Sequence, residues 1–426
     1  MSEKIKCAHS VAVTPFRCGM YNTVHELVCA ERKAGLDAYI IDSGNDQESN
    51  MVEVARKELT PIMSHAIGQA AKPAVEASLN YLKSKKYFAA NKVEPGFIER
   101  GIEIKSYDWA IKEADIMIGH SGFPNELQNL DKPYIMCMHG RPRSSFLLEV
   151  LGQYPIYSGY VGLNEQKRIR KFVTFWAEHN PNHELLVDAN KIAFVPPMVD
   201  LDVYNPVGEK APLMNPNKFN ILIADVWRED TDPYDVVHAC HIFCLKHPEA
   251  RFHMFGCKPT EQLGPWRVLL GKIKMHNTIG THVAMVQEMP SVYRAVDMVV
   301  TPHRIATRII RESLASGVPL VAADGCPYTP YKAPVWDYER FIKEMERCYE
   351  DIKLNRDKVK ARMRELAMKY FNPDNSGAAM SKVIEDTLKE WKEVGRAEVI
   401  ASGQMGLDHP EVEIPEAMVM GKEGFQ

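Results

Sequence analysis

The segment from Thr301 to Gly325 carries the residues whose types and spacing most favour chemistry. An apolar strand leads through a short loop into a helix, and Gly317 ends that helix before a second strand. Thr307 is predicted to cap the helix, so the free amides of the next residues would point out of its start. Free amides and the helix dipole together stabilise an anion, and the segment therefore predicts a site for a diphosphate.

Three charged side chains belong to the same segment. Arg304 and Arg308 add positive charge near the predicted helix start. Glu312 lies about 200° around the helix from Ile310, because each residue turns the chain by about 100°. We therefore expect Glu312 to leave the buried face that Ile310 and Leu314 form. Its carboxylate could accept two hydroxyl donors; the alternative is a solvated helix residue.

Glu312 and the run Ala315-Ser-Gly-Val-Pro319 resemble the donor-site signature of retaining GT-B glycosyltransferases of family four, which has two glutamates ahead of an Ala-x-Gly-x-Pro run. The segment 194–206 is similar to that family's interdomain segment, and Gly19 is similar to its glycine loop, so the resemblance extends over most of the chain. It implies that the anomeric configuration is retained and that Glu312 binds the ribose hydroxyls. Arg304 replaces the first glutamate, which usually contacts the transferred sugar.

His139 ends an apolar run that predicts a strand. Side chains at the carboxyl ends of parallel strands face the ligand crevice of such sheets. The resemblance implies a histidine close to the transferred sugar here, whereas a structural histidine is the ordinary alternative. His139 and Arg304, which stands where the family has its first glutamate, are the predicted catalytic residues. The donor-binding residues predicted for the chain are Gly19, Arg228, Ala306, Thr307, Arg308 and Glu312.

Two of these donor residues have ordinary alternatives. Arg228 is followed by Asp230 and Asp232, and a surface arginine paired with them fits the same pattern. Gly19 lies between the first predicted strand and a helix predicted to begin near Asn22. A glycine there permits positive φ and a close backbone approach to a ligand, but an ordinary turn explains it equally.

The acceptor side is predicted from histidine and arginine residues of the first domain. His120 follows a strand that neighbours the one before His139, and Arg141 and Arg143 come directly after His139. These arginines make an anionic acceptor, such as a lipid phosphate or DNA, a possible partner. A second basic cluster in residues 167–171 is more typical of a solvated helix face.

The elements that must position these residues are strands alternating with helices, a pattern that indicates parallel sheets. The series begins with a strand at residues 11–13 and restarts after residue 205. We predict an α/β protein of two doubly wound Rossmann-like domains that face each other across a cleft, the GT-B arrangement.

The first predicted domain, residues 1–200, binds the acceptor and contains a helical insertion at about 46–106. The nucleotide-sugar donor domain follows at 201–380, after a proline-rich linker. Residues 381–426 are predicted as a helix to about residue 394, returning to the first domain, and a poorly ordered tail.

Composition sets further limits on function. The chain has 426 residues and a formal net charge of −4, so nothing attracts it globally to nucleic acid or membrane. We expect a cytoplasmic protein, because no signal peptide and no apolar run of about 20 residues is present. The nine cysteines form no CxxC pair and are interpreted as reduced thiols. We predict neither a metal site nor a required cofactor, since Asp-x-Asp occurs at no predicted strand end.

The predicted function is transfer of a sugar from a UDP- or GDP-linked donor to a saccharide, a lipid-linked sugar or a small metabolite. One alternative is a glycosyltransferase that acts on a modified base in DNA. Others are a GT-B nucleotide-sugar epimerase and a silent nucleotide-sugar binder, which the missing first glutamate allows. Arg304 also permits the hypothesis that the donor sugar is not an ordinary hexose held through its 3- and 4-hydroxyls.

Overall fold

A computed structural model describes residues 4–11, 19–41, 98–99, 101–120, 132–137, 156–157, 192–212, 214–224, 234–255, 278–283 and 289–394. These residues form two units. The first runs to Met198 and resumes at Phe371, and the second runs from Val199 to Tyr370. In the part of the chain so described, no helix is both long and apolar enough to cross a membrane.

The helices of the described residues are α1 (Gly19–Lys33), α2 (Tyr107–Glu113), α3 (Tyr234–Lys246), α4 (Met289–Ala295), α5 (Arg308–Ala315), α6 (Tyr338–Tyr370) and α7 (Pro373–Val394). Helices α1, α2 and α7 belong to the first unit, and the other four belong to the second. Helix α6 is kinked at Asn355, whose backbone is not helical.

The first unit is built on one sheet. Its strands are β1 (Lys6–Val11), β2 (Asp37–Ile41), β3 (Ile98–Glu99), β4 (Ile102–Lys105), β5 (Ile116–His120), β6 (Tyr134–Cys137), β7 (Ile156–Tyr157) and β8 (Ile192–Ala193). They lie in the order β3-β4-β2-β1-β5-β6-β7-β8. Strands β3 and β4 pair antiparallel, and the other pairs are parallel. The chain order reverses between β1 and β5, and ligands of such sheets bind at the carboxyl ends beside this switch point.

The second unit has a parallel sheet of the same type. Its strands are β9 (Phe219–Ala224), β10 (Ala250–Phe255), β11 (Ile279–Val283), β12 (Met298–Val300), β13 (Leu320–Ala323) and β14 (Tyr331–Ala333), in the order β11-β10-β9-β12-β13-β14. The switch point of this sheet lies between β9 and β12. Because Thr301 follows β12, the loop into α5 leaves the sheet at its ligand-binding edge.

The Arg364 side chain holds α5 in place from its other end. Its guanidinium on α6 donates to the carbonyl oxygens of Tyr204 at 2.6 Å, Ala315 at 2.6 Å and Leu201 at 2.7 Å. Ala315 is the last residue of α5, and the last carbonyls of a helix have no partner within it. Arg364 therefore fastens the end of α5 to the segment that opens the second unit.

Three sequence predictions about elements were wrong. The first strand lies at Lys6–Val11 rather than 11–13, because its buried residues include the polar His9 and Ser10, which break the apolar pattern. Strands β3 and β4 lie inside the predicted helical insertion of 46–106, where the apolar residues Ile102 and Ile104 alternate with polar ones. Helix α7 begins at Pro373 rather than 381, since proline fits the first turn of a helix. Residues 46–97 of the predicted insertion lie outside the described residues.

Glycine allows α7 to pack closely on α1, and its replacement is expected to be costly. A Cβ on Gly377 would lie 2.5 Å from the carbonyl oxygen of Ala30 and 2.8 Å from its carbonyl carbon. We expect Gly377→Ala to lower the free energy of unfolding by about 3 kcal/mol, although alanine favours helices, because backbone must move. Urea unfolding checks this, with exposed Asn375→Ala as the control on the same helix. Equal stability of the two variants would contradict the packing.

A buried histidine in the second unit predicts a loss of stability in acid. His253 Nε2 lies 3.0 Å from Asn220 Oδ1, and burial, then the charge of Arg251, lowers the pKa of His253 from 6.5 to about 3. Between these values the unfolded chain binds a proton that the folded chain does not, so stability falls as pH falls through this window. We expect about 2 kcal/mol less stability at pH 5 than at pH 7 from this residue. Urea unfolding of wild type and His253→Gln at both pH values measures it; an unchanged pH dependence in the variant would contradict it.

Candidate functional site

The start of α5 carries hydrogen-bond donors that have no acceptor within the helix. Thr307 is its N-cap residue, as the sequence predicts, with extended backbone at φ −63° and ψ 166°. The Thr307 carbonyl accepts from the Arg311 amide at 3.1 Å, but its hydroxyl makes no capping hydrogen bond. That hydroxyl oxygen is buried and has no hydrogen-bond partner among the described residues. Together with the first amides of α5, it can donate to an anion at the edge of the sheet.

Glu312 is buried beside Arg308 and Tyr293. Its carboxylate Oε1 accepts from Arg308 Nε at 2.6 Å, and only 5% of the residue is exposed. The solvated alternative is therefore wrong, because every residue of α5 is buried, including those outside the face that Ile310 and Leu314 form. Burial, followed by the Glu312 charge, raises the pKa of Tyr293, and the Tyr293 hydroxyl donates to Glu312.

Tyr204 completes this cluster from the segment that opens the second unit. Arg308 Nη2 lies 3.4 Å from the Tyr204 hydroxyl, and the guanidinium carbon lies 5.8 Å from the centre of that ring. The rings of Tyr204 and Tyr293 meet edge to face at 6.2 Å. The Glu312 carboxylate thus offsets the positive charge of Arg308 at the helix start. Tyr204 and Tyr293 pack beside this ion pair. We call Tyr204, Tyr293, Arg308 and Glu312 the donor cluster.

Arg304 and Ala306 lie in the loop between β12 and α5. Ala306 is fully buried, whereas the Arg304 side chain is half-buried. Gly325, which has a positive φ of 86°, lies in the turn after β13, and a Cβ on it would lie 3.9 Å from Arg304 Cδ. The stem of Arg304 therefore passes over the backbone of this turn, beside the start of α5.

In the first unit, His120 belongs to a buried polar chain at the switch point of the sheet. His9 Nε2 donates to Glu31 Oε2 at 2.7 Å, so His9 Nδ1, 3.0 Å from His120 Nε2, accepts from it when both rings are neutral. All three residues are fully buried. His120 is the last residue of β5. The hydrogen bonds therefore connect Glu31 on helix α1, through His9 on β1, to a strand end of the kind that faces ligands in such sheets.

The remaining predicted site residues have different outcomes. Gly19 is the first residue of α1, so its placement in a loop before the helix was wrong; its carbonyl accepts from the Thr23 hydroxyl at 2.8 Å in the first helical turn. Four further predicted residues lie outside the described part of the chain: His139, Arg141, Arg143 and Arg228.

The sequence did not point to the partners of these residues. Tyr293 lies on α4 and Tyr204 in the opening segment, and no spacing rule links them to Glu312. His9 and Glu31 lie in a strand and a helix that bury several polar residues among their apolar ones. A polar residue inside such a buried element is the signal that could have found them, because burial of an unpaired polar group is costly.

Comparison with known proteins places this geometry in a known fold. No family model matches the chain, and no curated protein matches it. A solved glycosyltransferase from Rickettsia africae ESF-5 matches with a TM-score of 0.56 at 14% identity, over 91% of this chain and 99% of that one. Anabaena HepE in complex with UDP-glucose gives 0.57 at 11% identity, over 90% of this chain and 100% of HepE.

An alpha-glucosyltransferase in complex with UDP gives a TM-score of 0.57 at 12% identity, over 90% of this chain and 100% of that one. The solved structures therefore match nearly the whole chain and not one unit alone. At these identities the likeness establishes architecture, and it agrees with the two switch-point sheets described above. The chain has the GT-B fold of glycosyltransferases, built from two Rossmann-like α/β domains.

Proposed function

We propose that this chain is a glycosyltransferase that moves a sugar from a UDP-linked donor to an acceptor with retention of configuration. The observation that carries the proposal is the start of α5. There a buried Thr307 hydroxyl without a hydrogen-bond partner among the described residues lies at a helix start, one turn from the buried Glu312 carboxylate. One short helix thereby holds hydrogen-bond donors for a diphosphate and a hydrogen-bond acceptor for ribose hydroxyls.

Two comparisons favour uridine as the base. HepE and the alpha-glucosyltransferase share this fold and are solved with UDP-glucose and UDP respectively. We therefore narrow the proposed sugar donor from any nucleoside-diphosphate sugar to a UDP-linked sugar. No cofactor beyond the nucleotide sugar is part of it.

The donor cluster leaves part of the hydrogen-bonding capacity of the Glu312 carboxylate unused. A carboxylate offers about four lone-pair positions, and Arg308 and Tyr293 use two of them. Two ribose hydroxyls would use the others, and the existing donors hold the carboxylate in a fixed orientation for them. Ala306, Thr307 and Arg308 would flank the diphosphate, with Gly19 and Arg228 as the further donor contacts.

The chemical step relies on stabilising the departing diphosphate. Helix-start amides and the Thr307 hydroxyl donate to phosphate oxygens where negative charge grows, and stabilisation of this kind usually accounts for most of an enzyme's rate enhancement. The bond between the anomeric carbon and the phosphate oxygen breaks as the acceptor oxygen attacks the same face of the sugar. The acceptor's proton passes to the departing phosphate, so no carboxylate nucleophile is needed. His139 would contact the transferred sugar.

The first unit would hold the acceptor through His120, Arg141 and Arg143. A saccharide, a lipid-linked sugar and a small metabolite are the acceptor classes that this proposal includes. His120 is the residue of this set whose surroundings are described, and its hydrogen bond to His9 fixes its ring at the strand end.

The position of Arg304 predicts an altered sugar preference. A guanidinium donates hydrogen bonds but accepts none, so it cannot receive the hydroxyl hydrogens that a glutamate would receive. We expect Arg304→Glu to change the ranking of UDP-sugars by about tenfold in kcat/KM, shifting it toward hexoses with free 3- and 4-hydroxyls. Turnover of a UDP-sugar panel measures this; an unchanged ranking would contradict a role for Arg304 at the sugar.

A thermal-shift panel of nucleotides and nucleotide sugars tests the proposed function. A ligand at about a hundred times its dissociation constant stabilises the folded protein by about 2.7 kcal/mol. We expect UDP and at least one UDP-sugar to raise the unfolding temperature, with release of UDP from that sugar only when an acceptor is supplied. No stabilisation by any nucleotide would overturn the proposal, and conversion of the UDP-sugar to its epimer without release of UDP would favour an epimerase.

A further inference from the structure

A cavity lies on the opposite edge of the second sheet from the start of α5. It encloses about 620 Å³, and its lining includes Phe219 at the start of β9 and Asp297, which directly precedes β12. Thr301 and α5 follow the other, carboxyl end of β12. The cavity is of the size that binds small molecules, and it is separate from the proposed donor site.

The walls of this cavity carry excess positive charge. Six basic side chains and two carboxylates line it: Lys210, Lys218, Arg294, Lys353, Arg356, Lys360, Glu249 and Asp297. Both carboxylates already have partners. Asp297 accepts from the Asn220 amide at 2.8 Å and pairs with Arg356, and Glu249 accepts from the Tyr349 hydroxyl. Lys353 Nζ also lies 3.8 Å from Glu350 Oε1, so Arg356 and Lys353 have carboxylate partners and the remaining positive charge lies on the other basic side chains.

Two of the basic residues have structural duties. Arg294 donates to the carbonyl oxygens of Asn205 at 3.0 Å and Val203 at 3.1 Å, and Lys218 donates to that of Pro248 at 3.1 Å. These bonds fix the cavity wall. Neither cation is counted below as a ligand-binding group.

The ammonium groups of Lys210 and Lys360 are in a different position. Neither forms an ion pair with a carboxylate among the described residues. Burial, followed by the charges of Arg356 and Lys210, lowers the pKa of Lys360, and Asp297 and Asp357 offset only part of this effect. Cations held this close repel one another, and a bound anion would relieve the repulsion.

We propose that this cavity binds a small molecule that carries at least two phosphate groups. Lys210 and Lys360 supply the ammonium donors, and Lys353 and Arg356 add charge on the same helix as Lys360. Phosphate oxygens suit such donors, because ionised donors and acceptors form the strongest hydrogen bonds. Met214 and Tyr349 give the cavity an apolar side for the rest of the molecule.

Calorimetric titration of the full chain with inorganic tripolyphosphate tests this proposal. The test variant is Lys210→Ala/Lys360→Ala. The control is Lys343→Ala/Lys358→Ala, which removes the same charge from exposed positions of α6 outside the cavity. We expect saturable binding of tripolyphosphate to the wild-type protein. The dissociation constant should rise at least about tenfold in the test variant and change by less than about twofold in the control. Affinity should also fall as the salt concentration rises.

The titrations are run with and without saturating UDP, because tripolyphosphate can also occupy the start of α5. The lysine-dependent site is expected under both conditions, so its outcome is independent of the proposed function. Absence of saturable binding, or equal loss in test and control variants, would overturn the proposal. Lysine-dependent binding to phosphatidylserine vesicles without binding of tripolyphosphate would also overturn it, in favour of a membrane surface.

Discussion

Replacing Glu312 with alanine is expected to weaken UDP binding by about a hundredfold and to destabilise the second unit at the same time. Hydrogen bonds to a charged group contribute at least about 1.5 kcal/mol each, so loss of two ribose contacts costs about 3 kcal/mol, which corresponds to about a hundredfold in affinity. The substitution also leaves the buried guanidinium of Arg308 without its carboxylate partner, since Arg308 Nε donates to Glu312 at 2.6 Å. Loss of one partner of a buried ion pair costs about 3–5 kcal/mol. Calorimetry and urea unfolding measure the two effects separately.

Two further variants distinguish the site from the fold. Glu312→Gln keeps an oxygen for Arg308 and Tyr293, so we expect most of the stability to return while UDP affinity stays reduced. Glu350→Ala removes a glutamate that is 67% exposed, and it should change neither quantity measurably. Wild-type affinity in a folded Glu312→Ala protein would show that the nucleotide does not contact this carboxylate.

Replacing Glu31 with alanine is expected to lower the unfolding temperature of the first unit by about 10 °C. The His9–Glu31 pair is fully buried at 2.7 Å, and loss of one partner leaves the His9 N–H without an acceptor. An unsatisfied buried N–H costs about 1–3 kcal/mol, and the cavity left by the buried side chain raises the cost to about 3–5 kcal/mol, which converts to this shift for a domain of about 200 residues. Scanning calorimetry measures it.

The control for Glu31 is Glu113→Ala, a carboxylate of the same unit that is 54% exposed and lies 3.5 Å from Lys6 Nζ. Its removal is expected to change stability by less than about 1 kcal/mol, because exposed ion pairs contribute little. Glu31→Gln should fall between the two, since its amide oxygen can still accept from His9. Equal stability of the Glu31→Ala and Glu113→Ala variants would mean that the buried chain to His120 contributes nothing.

The fold could be predicted because its sheets follow from apolar runs. The second strand predicted after Gly317 is β13, Leu320–Ala323, where all four residues are buried and apolar. Prediction failed where polar residues are buried. In β1 the polar residues His9 and Ser10 are buried, and the His9 ring is satisfied by Glu31 from a neighbouring helix, which no apolar pattern reveals.

The candidate site could be predicted only in part, for a related reason. Thr307 and Glu312 belong to one helix and its cap, so helical geometry alone relates their positions. Tyr293 contacts Glu312 from another helix, and such a contact depends on tertiary packing rather than on spacing. The same limit explains why Glu312 is buried although its angle separates it from the apolar face: other elements of the unit pack on that side as well.

Hydrogen exchange of the wild-type protein with and without saturating UDP tests the central claim most directly. If α5 holds the diphosphate, UDP should slow exchange at its first amides, those of Arg308, Ile309 and Ile310, which have no carbonyl partner within the helix. Protection there is the predicted result, and it should vanish in Glu312→Ala at the same UDP concentration. UDP binding that leaves exchange at the start of α5 unchanged, or no UDP binding at all, would contradict the proposed donor site.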